Sequence, residues 1–223
     1  MASNNRMVDW CYPADGQHFP EPSAYAGVVI FGGAYSANDC ANYEWVKHEL
    51  GFVENCLRAD TGFFGICLGA QVLARVLGAD VRAHPEQVKE IGFSRVDPVV
   101  ESEQSNAPQF LETPLTVMQW HAEGFDLPPT TQRIASGDVF PNQAFRLNEH
   151  VVGVQFHPEV NPDVLAIWHE RNKTRPSGVL TEEQRVTMMA DAKHYDVQVT
   201  DWLHGFLSGW TTCCENAQNS SGF

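Results

Sequence analysis

Gly62-Phe63-Phe64-Gly65-Ile66-Cys67-Leu68-Gly69-Ala70-Gln71 is the stretch on which the fold turns. Its first five residues are a short apolar run of the kind that forms a buried strand. Leu68 to Leu77 is amphipathic and predicts a helix, and Gly78 supplies the helix stop. Between them lies a sharp strand-to-helix turn with Cys67 at its crest. Such a nucleophile elbow holds its central residue in a strained backbone conformation and needs small neighbours, which Gly65 and Gly69 provide. The turn also places the thiol at a helix N-terminus, where the macrodipole and free amides favour thiolate over thiol.

Ninety positions downstream of Cys67, a second segment supplies what a cysteine nucleophile lacks. Val151 to Phe156 is another compact apolar strand, followed by His157-Pro158-Glu159. A neutral histidine beside a thiol takes its proton, and the imidazolium later protonates a leaving amine. Glu159, two residues on, can hold the imidazole in one tautomer. Taken singly, a cysteine in an apolar setting is most often an inert core residue. A lone histidine near a strand end is most often structural or exposed. The joint occurrence of strand-elbow-helix and strand-His-Pro-Glu points instead to a Cys67-His157-Glu159 triad.

Both segments resemble the class I glutamine amidotransferase family, whose domains carry G-x-C-x-G and a later H-P-E. Val28-Val29-Ile30-Phe31-Gly32-Gly33-Ala34-Tyr35-Ser36 resembles the family's strand and Gly-Gly loop. Trp120-His121-Ala122-Glu123 falls where the family has a Ser/Asn-His-Gly loop, and Asn142 to Arg146 with Gly153 to Val160 are similar to its final two strands. The similarity runs from about Val8 to about Pro162 and is greatest to stand-alone proteins resembling the amidotransferase domain of GMP synthase.

The resemblance implies a glutaminase half-reaction: Cys67 attacks the side-chain amide of glutamine, ammonia leaves, and water cleaves a glutamyl thioester. Two backbone donors must meet the developing oxyanion. Leu68 N–H, next after the nucleophile, is one candidate. Gly33 N–H is the other, because a Gly-Gly loop lets backbone approach the substrate closely; taken alone, Gly32-Gly33 is as well explained by an ordinary turn. Gln71 lies one helical turn after Cys67 on the same face. In the resemblance it contacts the amino-acid end of the substrate; its plain alternative is a solvated helix residue. The loop Trp120, His121, Ala122 and Glu123 would give backbone contacts to the same end. Here the chain departs from the family, with Trp120 for a small Ser or Asn and Ala122 for Gly. A bulky Trp120 would close the pocket or make room for an aromatic or peptide substrate. His121 is expected to order the loop rather than to catalyse. A second departure is at the start: only Met1 to Arg6 precede Met7-Val8-Asp9-Trp10, where family members usually have a further strand and helix. The resemblance therefore implies either a sheet with fewer strands or a start assigned too late.

The remaining pattern predicts an α/β fold with a mostly parallel central sheet and helices on both faces, the flavodoxin-like arrangement of this family. Expected strands are Met7 to Trp10, Val28 to Phe31, Phe63 to Ile66, Gly92 to Val96, Leu115 to Gln119 and Val151 to Phe156. Asn42 to Ala59 predicts a helix capped by Asp39 or Asn42. Ligands of such a sheet sit beyond the strand C-terminal ends, where Gly33, Cys67 and His157 would gather. One domain is expected over residues 1–210, its 161–210 part helical. Asn161-Pro162 opens a helix to about Asn172, Pro176-Ser177-Gly178 forms a loop, and Thr181-Glu182-Glu183-Gln184 resembles a capping box opening a helix to about Leu207. Its apolar positions predict packing on the domain; the alternative is a homodimer face. The polar residues 211–223 predict a disordered tail.

A net charge of −14, from 14 Lys and Arg against 28 Asp and Glu, disfavours a nucleic-acid backbone as partner. No run approaches the ~20 apolar residues of a membrane span, and the first residues lack the apolar core of a secretory signal, so the cytoplasm is the default location. The six cysteines include no C-x-x-C pair and the nine histidines no H-E-x-x-H, so no metal or cofactor is expected. Adjacent Cys213 and Cys214 are expected reduced, since a disulfide between neighbours is strained. Three functions fit: a glutaminase passing ammonia to a separate synthetase partner, a self-contained hydrolase of γ-glutamyl amides or peptides, and a non-catalytic binding protein on the same scaffold. The intact Cys67, His157 and Glu159 argue against the third.

Overall fold

A computed structural model describes residues 6–99, 109–173 and 180–220. Its strands and helices are, in order, β1 (Gly27–Ile30), α1 (Glu44–Arg58), β2 (Gly62–Ile66), α2 (Leu68–Val76), β3 (Val81–Ala83), β4 (Glu90–Pro98), β5 (Leu115–His121), β6 (Glu123–Phe125), β7 (Gln132–Ser136), β8 (Ala144–Asn148), β9 (Val151–Val154), α3 (Pro162–Asn172) and α4 (Glu182–Ser220).

Seven strands form one sheet in the order β1-β2-β9-β8-β7-β4-β5, while β3 and β6 make a separate antiparallel ribbon. β1, β2 and β9 are mutually parallel, with Phe64 opposite Val152 and Ile66 opposite Val154. From β9 outward every pairing is antiparallel. The expected mostly parallel sheet therefore describes the half that carries Gly33, Cys67 and His157; the other half is an antiparallel extension. Short connections explain the switch: β8 and β9 are joined by a two-residue turn at Glu149 and His150, which only antiparallel strands allow.

β2 is buried along its whole length, as a central strand with helices on both faces must be. Phe63 packs with Leu68, Val72 and Leu73 of α2 and Phe52 and Val53 of α1. Phe64 and Ile66 point the other way, into a cluster with Val152, Val154 and the α4 residues Val199, Phe206 and Trp210. α4 presents Met188, Ala192, Val199, Trp210 and Cys214 to the interior at spacings of three to four residues or their multiples. These positions pack against the sheet and α3 of the same chain.

Other details differ from the sequence reading. Met7 to Trp10 is not a strand: Met7 and Val8 are exposed, and Trp10 stacks on Phe31 at 6.2 Å between ring centroids, so the run has no ladder partner and no face to bury. Neither Asp39 nor Asn42 caps α1. The cap position is Tyr43, and Asp39 is occupied by Ser36 N–H and Asn42 instead. The capping box of α4 forms, with Thr181 Oγ1 accepting from Gln184 N–H and Gln184 Oε1 from Thr181 N–H. Asn161 caps α3 through Val164 N–H. The expected disordered tail from residue 211 is instead helical through Ser220, because Trp210 and Cys214 fasten that stretch to the sheet. The loop expected at 176–178 and the last residues 221–223 lie outside the described residues. The sequence pattern does not predict β3, β6 and β7; the first two are only three residues long.

Candidate active site

Cys67 stands between β2 and α2 with φ +50° and ψ −102°, a conformation that L-residues rarely adopt. Two glycines make it sterically feasible. A Cβ on Gly65 would lie 2.6 Å from the carbonyl of Gly69, and one on Gly69 would lie 2.3 Å from the carbonyl oxygen of Ile30. Helix α2 therefore leaves the sheet at backbone contact distance. The turn is fixed from behind by Cys67 N–H donating to Val154 at 2.8 Å, and the Cys67 carbonyl accepts the first helical bond from Gln71 N–H. No side chain caps α2, so none competes for its first amides.

His157 reaches the same point from β9. Its backbone N–H donates to the Met118 carbonyl at 2.8 Å, tying it to β5. Its Nδ1 lies 2.8 Å from Oε1 of Glu159, which leaves Nε2 free of the carboxylate on a ring that stands beside the Cys67 side chain. Cys67 and His157 are both buried. Burial pulls the imidazole toward its neutral form, but the Glu159 carboxylate and the adjoining Cys67 side chain prevail, raising its pKa from 6.5 to about 10. The balance favours the protonated ring, with Glu159 accepting at Nδ1. The edge of its ring environment is closed by Trp168 of α3, packed T-shaped at 5.0 Å.

Gly32 and Gly33 lie beside this pair. A Cβ on Gly32 would stand 2.5 Å from Cε1 of His157 and 3.3 Å from Cβ of Cys67, and one on Gly33 would stand 3.2 Å from Cδ2 of Leu68. The two expected oxyanion residues, Gly33 and Leu68, are therefore neighbours. Gln71 is buried rather than solvated, its Nε2 donating to the Glu123 carbonyl at 2.9 Å. The Glu123 carboxylate accepts from Ser36 of the Gly-Gly loop at 2.6 Å, which ties that loop to the start of β6.

The segment expected as a loop, Trp120 to Glu123, is the end of β5 and the start of β6, with only Ala122 between them, exposed. Trp120 packs T-shaped on Trp168 at 5.6 Å, behind the ring that covers His157. His121 faces the opposite side of β5. Its Nδ1 donates to the Glu123 carbonyl at 3.0 Å, and its Nε2 stands 3.1 Å from both Gln119 Oε1 and Glu90 Oε2. The buried carboxamides of Gln119 and Gln143 complete this cluster.

Sequence reasoning assigns no role of their own to Gly32, Gln155 and Trp168. Gln155 is visible as part of Gln155-Phe156-His157, but nothing in its spacing distinguishes it from an edge residue. Among the described residues no group of three or more His, Cys, Asp and Glu could hold a metal, and no helix is long and apolar enough to cross a membrane. A groove of about 370 Å³ under α4, lined by Phe110, Trp202, Phe206 and Trp210, contains none of these site residues.

The elbow, the Gly-Gly loop and the His-Pro-Glu segment on a half-parallel sheet define the class. The family model described as Glutamine amidotransferase class-I matches residues 4–168, and the chain belongs to that family. It is similar to a glutamine-hydrolyzing GMP synthase subunit of Sulfolobus acidocaldarius, with 31% identity over 143 residues, covering 63% of this chain and 70% of that one. It is also similar to gamma-glutamyl peptidase 5 of Arabidopsis thaliana, with 24% identity, covering 72% and 62%. The crystal structure of a glutamine amidotransferase from Thermotoga maritima superposes with a TM-score of 0.77 at 28% identity, covering 91% of this chain and 86% of that one. The chain spans 55% to 67% of the length of four curated relatives, the Arabidopsis peptidase among them.

Proposed function

We propose that this protein hydrolyses the side-chain amide of glutamine through Cys67, His157 and Glu159, with the ammonia passed to a separate synthetase. The observation that carries this reading is the Glu159 carboxylate bonded to His157, whose ring stands beside a cysteine at a strained elbow. In the first step the Cys67 sulfur, its proton held by His157, attacks the amide carbon. The carbon–sulfur bond forms as the carbonyl electron pair moves to oxygen, which the Gly33 and Leu68 N–H groups receive. Collapse breaks the carbon–nitrogen bond, and the imidazolium proton leaves with nitrogen as ammonia. His157, now neutral, takes a proton from water, which attacks the thioester carbon. The carbon–sulfur bond breaks and glutamate is released. Glu159 holds the Nδ1 proton throughout. Gln71 and the backbone of residues 120–123 would orient the amino-acid end, and no step calls for a metal or cofactor.

A second reading, direct hydrolysis of γ-glutamyl amides or peptides by the same groups, is favoured by the similarity to a gamma-glutamyl peptidase. Ammonia and glutamate release from glutamine and from a γ-glutamyl dipeptide panel, with wild type and Cys67→Ala, separates the two. Cys67-dependent turnover of glutamine supports the first reading, and turnover confined to dipeptides the second. No Cys67-dependent turnover of either, with or without a synthetase, sinks both and leaves a binding role.

A further inference from the structure

Gln155 takes no part in the mechanism above, yet its side chain contacts the nucleophile. It is fully buried between β9 and His157, with its backbone N–H donating to the Gln143 carbonyl at 2.8 Å. Its Nε2 lies 3.6 Å from Sγ of Cys67, within reach of a hydrogen bond to sulfur. Its Oε1 accepts from Gln71 Nε2 at 3.3 Å, and the same Gln71 nitrogen donates to the Glu123 carbonyl at 2.9 Å.

These contacts settle which way each carboxamide points. A main-chain carbonyl can only accept, so Gln71 must turn its nitrogen toward Glu123. The second proton on that nitrogen then requires an acceptor, which is Gln155 Oε1. Only the amino group of Gln155 remains to face the sulfur. Flipping Gln155 would set nitrogen against nitrogen and orphan two buried donors. The anchor of this series, the Glu123 carbonyl, is itself held by His121 Nδ1 at 3.0 Å.

We infer that Gln155 is a second hydrogen-bond donor to the Cys67 sulfur, beside His157, and that Gln71 and the Glu123 carbonyl fix its direction. Such a donor acts when the sulfur carries charge and is nearly idle when the sulfur is in a thioester, a poor acceptor. It therefore assists at two points: holding the thiolate before attack, and receiving it as the leaving group when water cleaves the thioester. Gln71 accordingly serves the nucleophile as well as the substrate. The inference rests on Cys67 being the reactive thiol of the proposed function, not on which amide is cleaved.

The test is alkylation of Cys67 by iodoacetamide as a function of pH, on the full chain without substrate. Labelling is followed at the Cys67 peptide by mass spectrometry, because the chain has six cysteines. Gln155→Met keeps the length and removes the donor. It should move the rising limb of the alkylation profile to higher pH by about one unit, a roughly tenfold loss of rate along that limb, as expected for loss of a hydrogen bond to a charged group. Its high-pH plateau should equal or exceed that of wild type, since a more basic thiolate is at least as nucleophilic. Gln155→Glu, which sets an acceptor against the sulfur, should fall further. A wild-type profile for Gln155→Met overturns the inference. So does an equal loss at every pH, which marks blocked access. Should thermal melting show Gln155→Met unfolded, Gln71→Met is read in the same way: it keeps the donor but frees its direction, and a wild-type profile there overturns the inference. A displaced alkylation profile in a protein that turns over no amide would leave the inference standing and remove the glutaminase reading.

Discussion

The Cβ that Gly32 lacks would stand 2.5 Å from Cε1 of His157. This glycine is therefore a steric condition of the imidazole's position, separate from any part its neighbour has in the oxyanion site. Gly32→Ala must push His157 off the Glu159-to-Cys67 line, and a misplacement of about 1 Å can cost on the order of 100-fold in rate. Gly33→Ala meets only the tip of the flexible Leu68 side chain, at 3.2 Å, and leaves its own N–H in place. Amide-hydrolysis rates should fall about 100-fold for Gly32→Ala and less than about tenfold for Gly33→Ala. The reverse order would mean that Gly33, not Gly32, sets the imidazole.

Cys67→Ala should abolish turnover with the melting temperature nearly unchanged, since Cβ and the elbow backbone are retained. Glu159→Gln should slow turnover less, because it orients and charges the imidazole rather than forming the covalent bond. Ammonia release compares the two variants; near-wild-type turnover in Cys67→Ala removes the triad, and an equal or greater loss in Glu159→Gln gives that residue another role.

The same pair predicts a pH dependence of stability. The pKa of His157 is raised from 6.5 to about 10 in the folded protein, so the folded state binds the proton more tightly. That contribution is complete below pH 6.5 and is lost as pH rises through about 10. Denaturant midpoints should fall over this window in wild type and fall less in Glu159→Gln, which removes a major source of the shift. Parallel slopes in the two proteins would show that Glu159 does not hold the charge.

Glu49 gives a separate signal at lower pH. It is buried in α1 with Oε2 unpartnered, and burial pushes its carboxyl up from 4.5 to about 7. A raised folded pKa means stability present below 4.5 and lost as pH rises to about 7. Glu49→Gln mimics the protonated form, so it should leave stability unchanged in acid and raise it above pH 7, by up to about 3 kcal/mol at 1.36 kcal/mol per pKa unit. Denaturant titrations in acid and in mild alkali measure both arms, and an equal change at both pH values would show that charge is not the cause.

How much of this is legible in the sequence follows from range. The elbow is local: Gly65, Cys67 and Gly69 form it through contacts within a few residues and one neighbouring strand, so the motif is enough. His157 and Glu159 are likewise two residues apart. What cannot be read is what non-local pairing decides. Trp120 resembles a pocket residue because of its place in a motif, but Trp168, 48 positions away, packs against its ring. The antiparallel half of the sheet depends on short strands such as β7, whose Gln132-Arg133-Ile134-Ala135-Ser136 shows little alternation. The tail beyond Thr211 is polar enough to predict disorder, and only contact with the sheet makes it helix.

That last contact is a strong one. Trp210 is buried against Phe64, its ring at 6.1 Å, and its Nε1 donates to the His150 carbonyl at 2.9 Å. The space for it exists because Gly27 and Gly62 have no side chains: a Cβ on Gly27 would lie 2.7 Å from the indole, and one on Gly62 2.1 Å from Sγ of Cys214. The last turns of α4 thus brace the outer face of β1 and β2, the strands that end in the Gly-Gly loop and the elbow. Trp210→Ala removes a buried indole and orphans a carbonyl, and should cost about 3–5 kcal/mol. Truncation after Leu207 should cost at least as much, since it also removes Cys214. Denaturant unfolding of both variants measures this. A truncated protein as stable as wild type would mean that the last turns of α4 do not brace these strands.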